Sequence, residues 1–137
     1  KKGGTFDFAS SNELWRASIE TLDFVTFANA SYSGGILITD WFNSNSEEDI
    51  KNSRDLKITI RFLSNEIRAD GLKIIIHERI CSNSNATACS ITKIKSNIES
   101  EIKLAILKRA TELKKKTDEI TKEKNKRKIL GGEKKIY

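Results

Sequence analysis

Histidine, cysteine and methionine are scarce in this 137-residue chain, and each shortage excludes a kind of chemistry. His77 is the single histidine, and no nucleophile and orienting carboxylate stand at a recognisable spacing from it, as acyl-transfer catalysis would need. Two cysteines and one histidine are too few ligands for a structural zinc site. The pair Gly34-Gly35 lacks the further glycines and the lysine of a phosphate-binding loop. We therefore expect no enzyme, no metal site and no cofactor.

Long apolar runs are missing as well. None approaches the ~20 consecutive apolar residues of a transmembrane helix. Two short runs, residues 35–38 and 74–76, have the length of buried strands. Because methionine is absent, the initiator residue is not among these residues. We expect a processed or shortened form of the protein, from which any secretory signal has been removed.

The net charge of +6 is unevenly distributed along a chain whose length suits one domain with one core. Residues 1–113 contain 15 basic and 15 acidic residues, whereas residues 114–137 contain 10 basic and 4 acidic residues and so carry the whole excess. A nucleic-acid-binding domain needs its basic stripe on the folded surface. The neutral body therefore argues against nucleic acid as the partner.

An N-terminal helix is predicted from residue 10 to about residue 23. Ser10 and Glu13 have the spacing of a capping box, in which each side chain bonds the backbone N–H of the other residue. Apolar residues then recur at helical spacing and form one face of the helix, which consists of Leu14, Trp15, Ile19 and Leu22.

Four strands are predicted after this helix, at residues 24–28, 36–42, 56–63 and 72–80. The third alternates apolar and polar side chains, which is typical of a strand buried on one face. The second has apolar residues at both parities, which predicts burial on both faces. Short connections favour antiparallel pairing. The segment from Cys81 to Cys89 is interpreted as a polar loop.

A long C-terminal helix is predicted from residue 91, with an apolar stripe that ends near Leu113. Residues 114–128 keep a helix-forming composition but lose the stripe, so they are either a solvated continuation of the helix or a disordered tail. The predicted fold class is α+β, a four-stranded antiparallel sheet with both helices packed on one face, in the order α-β-β-β-β-α. A flexible segment (1–9), a single domain (10–113) and a basic tail (114–137) make up the chain.

Three ordered motifs carry a resemblance to a known group of proteins. They are Leu14-Trp-Arg-Ala-Ser-Ile-Glu-Thr-Leu22, Gly34-Gly-Ile-Leu-Ile-Thr-Asp-Trp41 and Glu66-Ile-Arg-Ala-Asp-Gly-Leu-Lys73. Through them, residues 12–113 resemble an uncharacterised alphaproteobacterial envelope protein family whose members are often predicted lipoproteins. The resemblance implies export, with a periplasmic or outer-membrane-anchored location, but no activity. In fold alone, the chain is also similar to the helix-grip domains of outer-membrane assembly lipoproteins.

Seven residues stand out as candidates for a structural or binding role. In an exported protein, Cys81 and Cys89 are expected to form a disulfide worth ~2–3 kcal/mol, and reduced thiols are the cytoplasmic alternative. Asp40 has the parity of a buried face, so it is expected to form an ion pair or to accept hydrogen bonds from backbone N–H groups, unless it is a binding-site carboxylate. The candidate ion-pair partners of Asp40 are Arg16 and Arg68. The two tryptophans, Trp15 and Trp41, are expected to lie in the core rather than to stack on a ligand. His77 is expected on the surface.

The basic tail offers a candidate contact for anionic lipid, acidic polymer or nucleic acid. Its cations are Lys114, Lys115, Lys116, Lys126, Arg127 and Lys128. No interleaved aromatic is available for base stacking, so a solvated helix end is the simpler interpretation. We expect a non-enzymatic envelope protein, a binding or assembly module whose partner is an unknown envelope protein or the membrane surface. The alternative is a protein that binds nucleic acid or an anionic surface through residues 114–137, with nucleic acid the less favoured partner.

Overall fold

A computed structural model describes residues 12–43, 46–51, 53–82 and 85–134. The helices are α1 (Glu13–Thr21), α2 (Glu47–Lys51) and α3 (Asn97–Lys134), with a 3-10 turn at Ala69–Gly71. The strands are β1 (Phe27–Ser31), β2 (Ile36–Thr39), β3 (Arg54–Phe62), β4 (Leu72–Ser82) and β5 (Asn85–Ile94). They form one antiparallel sheet in the order β1-β2-β3-β4-β5, in which each strand pairs with its neighbour in sequence.

One hydrophobic core lies between the sheet and helices α1 and α3. The alternation of β3 places its apolar side chains in this core, as its sequence pattern predicts. The two helices add a stripe each, and α1 packs along α3. The fully buried members with the largest side chains are Leu14, Leu22, Leu37, Ile58, Ile60, Leu72, Ile76 and Ile106.

The sheet has five strands rather than the predicted four, because β5 occupies a segment that was interpreted as a loop and the start of a helix. β5 pairs with β4, and Cys81 lies opposite Cys89. Its asparagine, serine and threonine residues have turn chemistry, which concealed the strand. The three-residue interval from Ile91 to Ile94 imitates a helical repeat, although α3 starts only at Asn97.

Helix α1 is capped by Asn12 rather than by the predicted capping box. The Asn12 side-chain oxygen accepts a hydrogen bond of 3.1 Å from the Trp15 backbone N–H. Ser10, the predicted cap, lies outside the described residues. Helix α3 continues unbroken into the basic segment, Leu113 is its last buried residue, and all side chains at positions 114–130 are exposed. No helix in the described ranges is long and apolar enough to cross a membrane.

Strand β2 is fully buried on one face only, although its apolar residues at both parities predict burial on both. Leu37 and Thr39 are fully buried, whereas Ile36 and Ile38 are half-buried on the other face. Asp40 follows the strand and is exposed, which contradicts the prediction of a charge on a buried face. The parity argument failed because both sets of β2 side chains are apolar enough to fit the core.

Candidate binding surface on the open face of the sheet

Helices α1 and α3 cover one face of the sheet and leave the other, which we call the open face. It consists of the side chains that alternate with the buried ones in β2, β3, β4 and β5, together with Trp41, which follows β2. The described side chains at these positions include five lysines and arginines but one acidic residue, Asp55. The basic residues are Lys57, Arg61, Lys73, Arg79 and Lys93. This face is therefore basic, although residues 1–113 as a whole are neutral.

Basic residues of the open face lie directly opposite one another on neighbouring strands. Lys57 pairs with His77, and His77 pairs with Lys93, which makes a row of three basic side chains across β3, β4 and β5. Arg61 lies opposite Lys73. The like charges of Arg61 and Lys73 in these opposed positions destabilise the sheet. Folding stability therefore does not explain this arrangement.

Trp41 lies on the open face and outside the core, contrary to the sequence prediction. The Lys57 Nζ atom lies 5.2 Å from the centroid of the Trp41 ring, and the Arg79 guanidinium carbon lies 4.5 Å from it. Both cations cover the ring and gain a cation–π interaction. Trp15 does lie in the core, where it contacts the ring of Tyr32 edge-on.

The positive charge of the open face is neutralised only in part. Arg79 donates a hydrogen bond of 2.9 Å to Asp55. No ion pair within the described parts of the chain involves Arg61, Lys73 or Lys93, all of which are exposed. These three cations are consequently available to an anionic partner.

Isoleucines are interleaved with these cations. Ile36, Ile38 and Ile75 are half-buried on the same face, and Ile91 of β5 is 57% exposed. The open face therefore offers apolar contact area together with positive charge.

Arg68, predicted as a partner of Asp40, instead holds the loop before β4. It donates two hydrogen bonds of 2.9 Å to Asp70 and one of 2.8 Å to Glu66. The bond from Arg68 lowers the pKa of the Asp70 carboxyl group, and the bonds to both carboxylates raise the pKa of Arg68. Arg16 is half-buried in α1, and no ion pair in the described ranges joins it to Asp40.

The two cysteines lie at disulfide distance, which supports their predicted pairing. Their sulfur atoms are 2.09 Å apart and join β4 to β5. His77 lies half-buried in the centre of the open face, between two lysines. Across the described residues, no group of three or more histidine, cysteine or acidic side chains could hold a metal ion.

The tail cations predicted as polyanion contacts all lie on the solvated part of α3. Lys114 forms an ion pair with Asp118 at 3.6 Å, and Arg127 forms one with Glu123 at 3.7 Å. At 3.6 residues per turn, the remaining four point in several directions around the helix axis. They are Lys115, Lys116, Lys126 and Lys128. Lys122 lies on the same side of the helix as Lys115 and Lys126, since the three are seven and eleven residues apart, whereas Lys116 and Lys128 point elsewhere.

A second candidate, a cavity of about 310 Å³, lies beside the start of α1 and is lined by Trp15, Tyr32 and Phe62. Its polar groups already bond each other, because the Asn12 amide nitrogen lies 3.3 Å from both the Tyr32 hydroxyl and the Asn65 side-chain oxygen. No charged side chain lines this cavity within the described residues. The open face is the stronger candidate.

Summing charge along the chain concealed the open face from the sequence interpretation. The signal was present, since Lys57 and Arg61 occupy the outward positions of β3, and Lys73 and Arg79 occupy those of β4. Lys93 could not be assigned to this face because β5 had not been recognised.

Comparison with known proteins assigns the chain to a family for which no activity is described. A family profile described as "Domain of unknown function (DUF3576)" matches residues 8–115. A curated relative, "Uncharacterized protein RP420" of Rickettsia prowazekii (strain Madrid E), is 30% identical over 70 residues, which are 51% of this chain and 40% of the relative. The chain therefore matches less than half of that relative's length, and no solved structure matches it significantly. Because the family profile spans most of the chain, the protein belongs to the DUF3576 family.

Proposed function

We propose that this protein is a non-enzymatic binding module of the bacterial cell envelope that contacts an anionic membrane surface through the open face. The observation that carries the proposal is the group of exposed cations on this face that no ion pair holds within the described residues, namely Arg61, Lys73 and Lys93. Each lysine or arginine near an anionic lipid surface contributes about 1 kcal/mol of attraction. Several uncommitted cations on one face can therefore hold the domain at such a surface.

The residues between the cations favour a lipid surface over nucleic acid. Ile75 and Ile91 offer apolar contact, which binding at a membrane interface uses together with charge. Sheets that bind single-stranded nucleic acid stack bases on exposed aromatic rings. The ring of Trp41 already makes cation–π contacts with Lys57 and Arg79.

An envelope location is supported by the cysteine pair and by the motif resemblance. Disulfides form and persist in oxidising compartments such as the periplasm. Cys81 and Cys89 lie at disulfide distance. The three motifs within residues 12–113 resemble an envelope protein family, which points to the same compartment.

Vesicle co-sedimentation tests this proposal. The protein should bind vesicles of phosphatidylcholine that contain phosphatidylglycerol and should not bind phosphatidylcholine alone. The variant Lys57→Gln/Arg61→Gln should bind the anionic vesicles roughly 30-fold more weakly, because two charges of about 1 kcal/mol each are removed. Lys115→Gln/Lys126→Gln removes the same charge from α3 and should bind like the wild type. Equal losses in the two variants, or wild-type binding to neutral vesicles, would contradict the proposal.

A second candidate function, polyanion binding by the tail, is favoured by the exposed lysines of α3 beyond Leu113 that have no ion-pair partner within the described ranges. Removal of residues 118–137 should leave vesicle binding intact if the open face is the binding surface. Binding of a single-stranded DNA oligonucleotide that falls steeply with salt and disappears on this truncation would favour the tail instead.

A further inference from the structure

A cleft of about 450 Å³ lies where the start of β4, the end of β5 and the first turns of α3 meet. Four lysines line it, each from a different part of the chain: Lys73 in β4, Lys93 in β5, Lys95 in the connection to α3, and Lys103 in α3. We call this the lysine cleft. The fold brings together four like charges that lie up to thirty residues apart in sequence.

The acidic residues of the lysine cleft do not balance its lysines. Asp70 and Glu99 also line it, and Asp70 is held by Arg68 through two hydrogen bonds of 2.9 Å. In the described parts of the chain, none of the four lysines takes part in an ion pair. The positive charge in the cleft is therefore compensated only in part, by Glu99 and by the electrostatic interaction of Asp70 with Lys103.

The shape and lining of the cleft suit a compact anion attached to an apolar group. Leu63, which is 62% exposed, and the half-buried Ile75 and Ile94 form apolar parts of its lining. Ammonium groups act as point charges toward phosphate and donate strong, charge-assisted hydrogen bonds to its oxygens. A tetrahedral oxyanion can accept such bonds from several lysines at once.

We propose that the lysine cleft is a phosphate-binding site, which takes the phosphate of a lipid headgroup or of a small soluble phosphate compound. The inference rests on the proposed function, because Lys73 and Lys93 belong to the open face as well as to the cleft. It adds one defined site to a surface that otherwise attracts anions by charge alone. Lys95 and Lys103 are specific to the cleft, so their mutation tests the phosphate site separately from membrane binding by the open face.

Isothermal titration of the full chain with inorganic phosphate and with dihexanoyl phosphatidic acid tests the site. The variant Lys95→Gln/Lys103→Gln should bind at least about tenfold more weakly, because it loses two charge-assisted donors. As the control, Lys115→Gln/Lys126→Gln removes the same charge from the exposed end of α3 and should bind both probes like the wild type. Glu99→Gln should bind more tightly, because it removes a repelling carboxylate. Circular dichroism of each variant checks that the fold is retained.

The outcomes identify the source of the phosphate, and they distinguish a failure of the phosphate site from a failure of the proposed membrane binding. Tighter binding of the short-chain lipid identifies a headgroup, and equal or tighter binding of inorganic phosphate identifies a soluble compound. If neither probe binds, or if Lys95→Gln/Lys103→Gln binds like the wild type, the site is wrong, and vesicle binding by Lys57→Gln/Arg61→Gln still decides the proposed function. If both probes bind with the expected losses but anionic vesicles do not, the membrane proposal fails and the phosphate site stands.

Discussion

At the scale of single residues, Thr39 illustrates how one hydroxyl group completes the sheet. It is fully buried, and its oxygen accepts a hydrogen bond of 3.0 Å from the backbone N–H of Ile58. The register of β2 against β3 shifts just beyond this residue. The hydroxyl group thus supplies an acceptor at the point where regular strand pairing ends.

Thr39→Val should destabilise the protein although it adds an apolar group of the same shape to the core. The Ile58 N–H would be left buried without an acceptor, at a cost of about 1–3 kcal/mol in the free energy of unfolding. Urea denaturation measures this change. The matched control Thr59→Val, on the open face of β3, should stay within about 0.5 kcal/mol of the wild type. A stability gain in Thr39→Val would contradict the assigned hydrogen bond.

At the scale of elements, the hairpin of β4 and β5 extends beyond the part of the sheet that the helices cover. Ile80 is 42% exposed, Ile91 is 57% exposed, and the side chains at positions 88–93 are all exposed. Packing contributes little to this end of the hairpin. The Cys81–Cys89 pair therefore restrains a part of the sheet that the core does not hold.

The unreduced protein should contain no thiol that reacts with an alkylating reagent, and reduction should raise its mass by two hydrogen atoms. Cys81→Ser/Cys89→Ser should lower the free energy of unfolding by no more than ~2–3 kcal/mol. The loss should be local, so amide hydrogen exchange should accelerate in β5 more than in β3. As a control, a reducing agent should not change the stability of the double variant. Full alkylation of the unreduced wild type would reject the disulfide.

At the scale of the whole molecule, opposite charges meet between the helices while like charges meet on the open face. Arg109 of α3 forms an ion pair with Glu20 of α1 at 2.6 Å and another with Glu112 at 3.3 Å. On the open face, Arg61 and Lys73 oppose each other instead. Binding surfaces commonly retain such unfavourable arrangements because binding, and not stability, requires them.

Arg61→Glu should therefore stabilise the fold and weaken membrane binding at the same time. It turns a pair of opposed like charges into a pair of opposite charges, a change of roughly 0.2–1 kcal/mol in favour of folding. Thermal unfolding and vesicle co-sedimentation measure the two effects. Arg61→Gln removes the repulsion without adding attraction, so it should fall between the wild type and Arg61→Glu in both measurements. A destabilised Arg61→Glu that still binds vesicles would exclude this trade-off.

The elements that could be predicted from sequence are those whose signals are local. The apolar stripes of α1 and α3 depend on neighbours three or four residues away in sequence. The alternation of β3 depends on neighbours two residues away. They were sufficient for the α+β class and for an antiparallel sheet with an N-terminal and a C-terminal helix. β5 was missed because its polar side chains have turn chemistry and are stabilised by pairing with β4, which is a partner in space.

The amino-acid sequence by itself determined the apolar faces, the one-domain size and the position of the two cysteines. Only the tertiary structure decided which side of β2 faces the core, that Trp41 lies under Lys57 and Arg79, and that a neutral body carries a basic face. Composition adds charges along the chain, whereas binding depends on which side chains share a surface. Strand pairing sets that neighbourhood, and it joins residues that are remote in sequence.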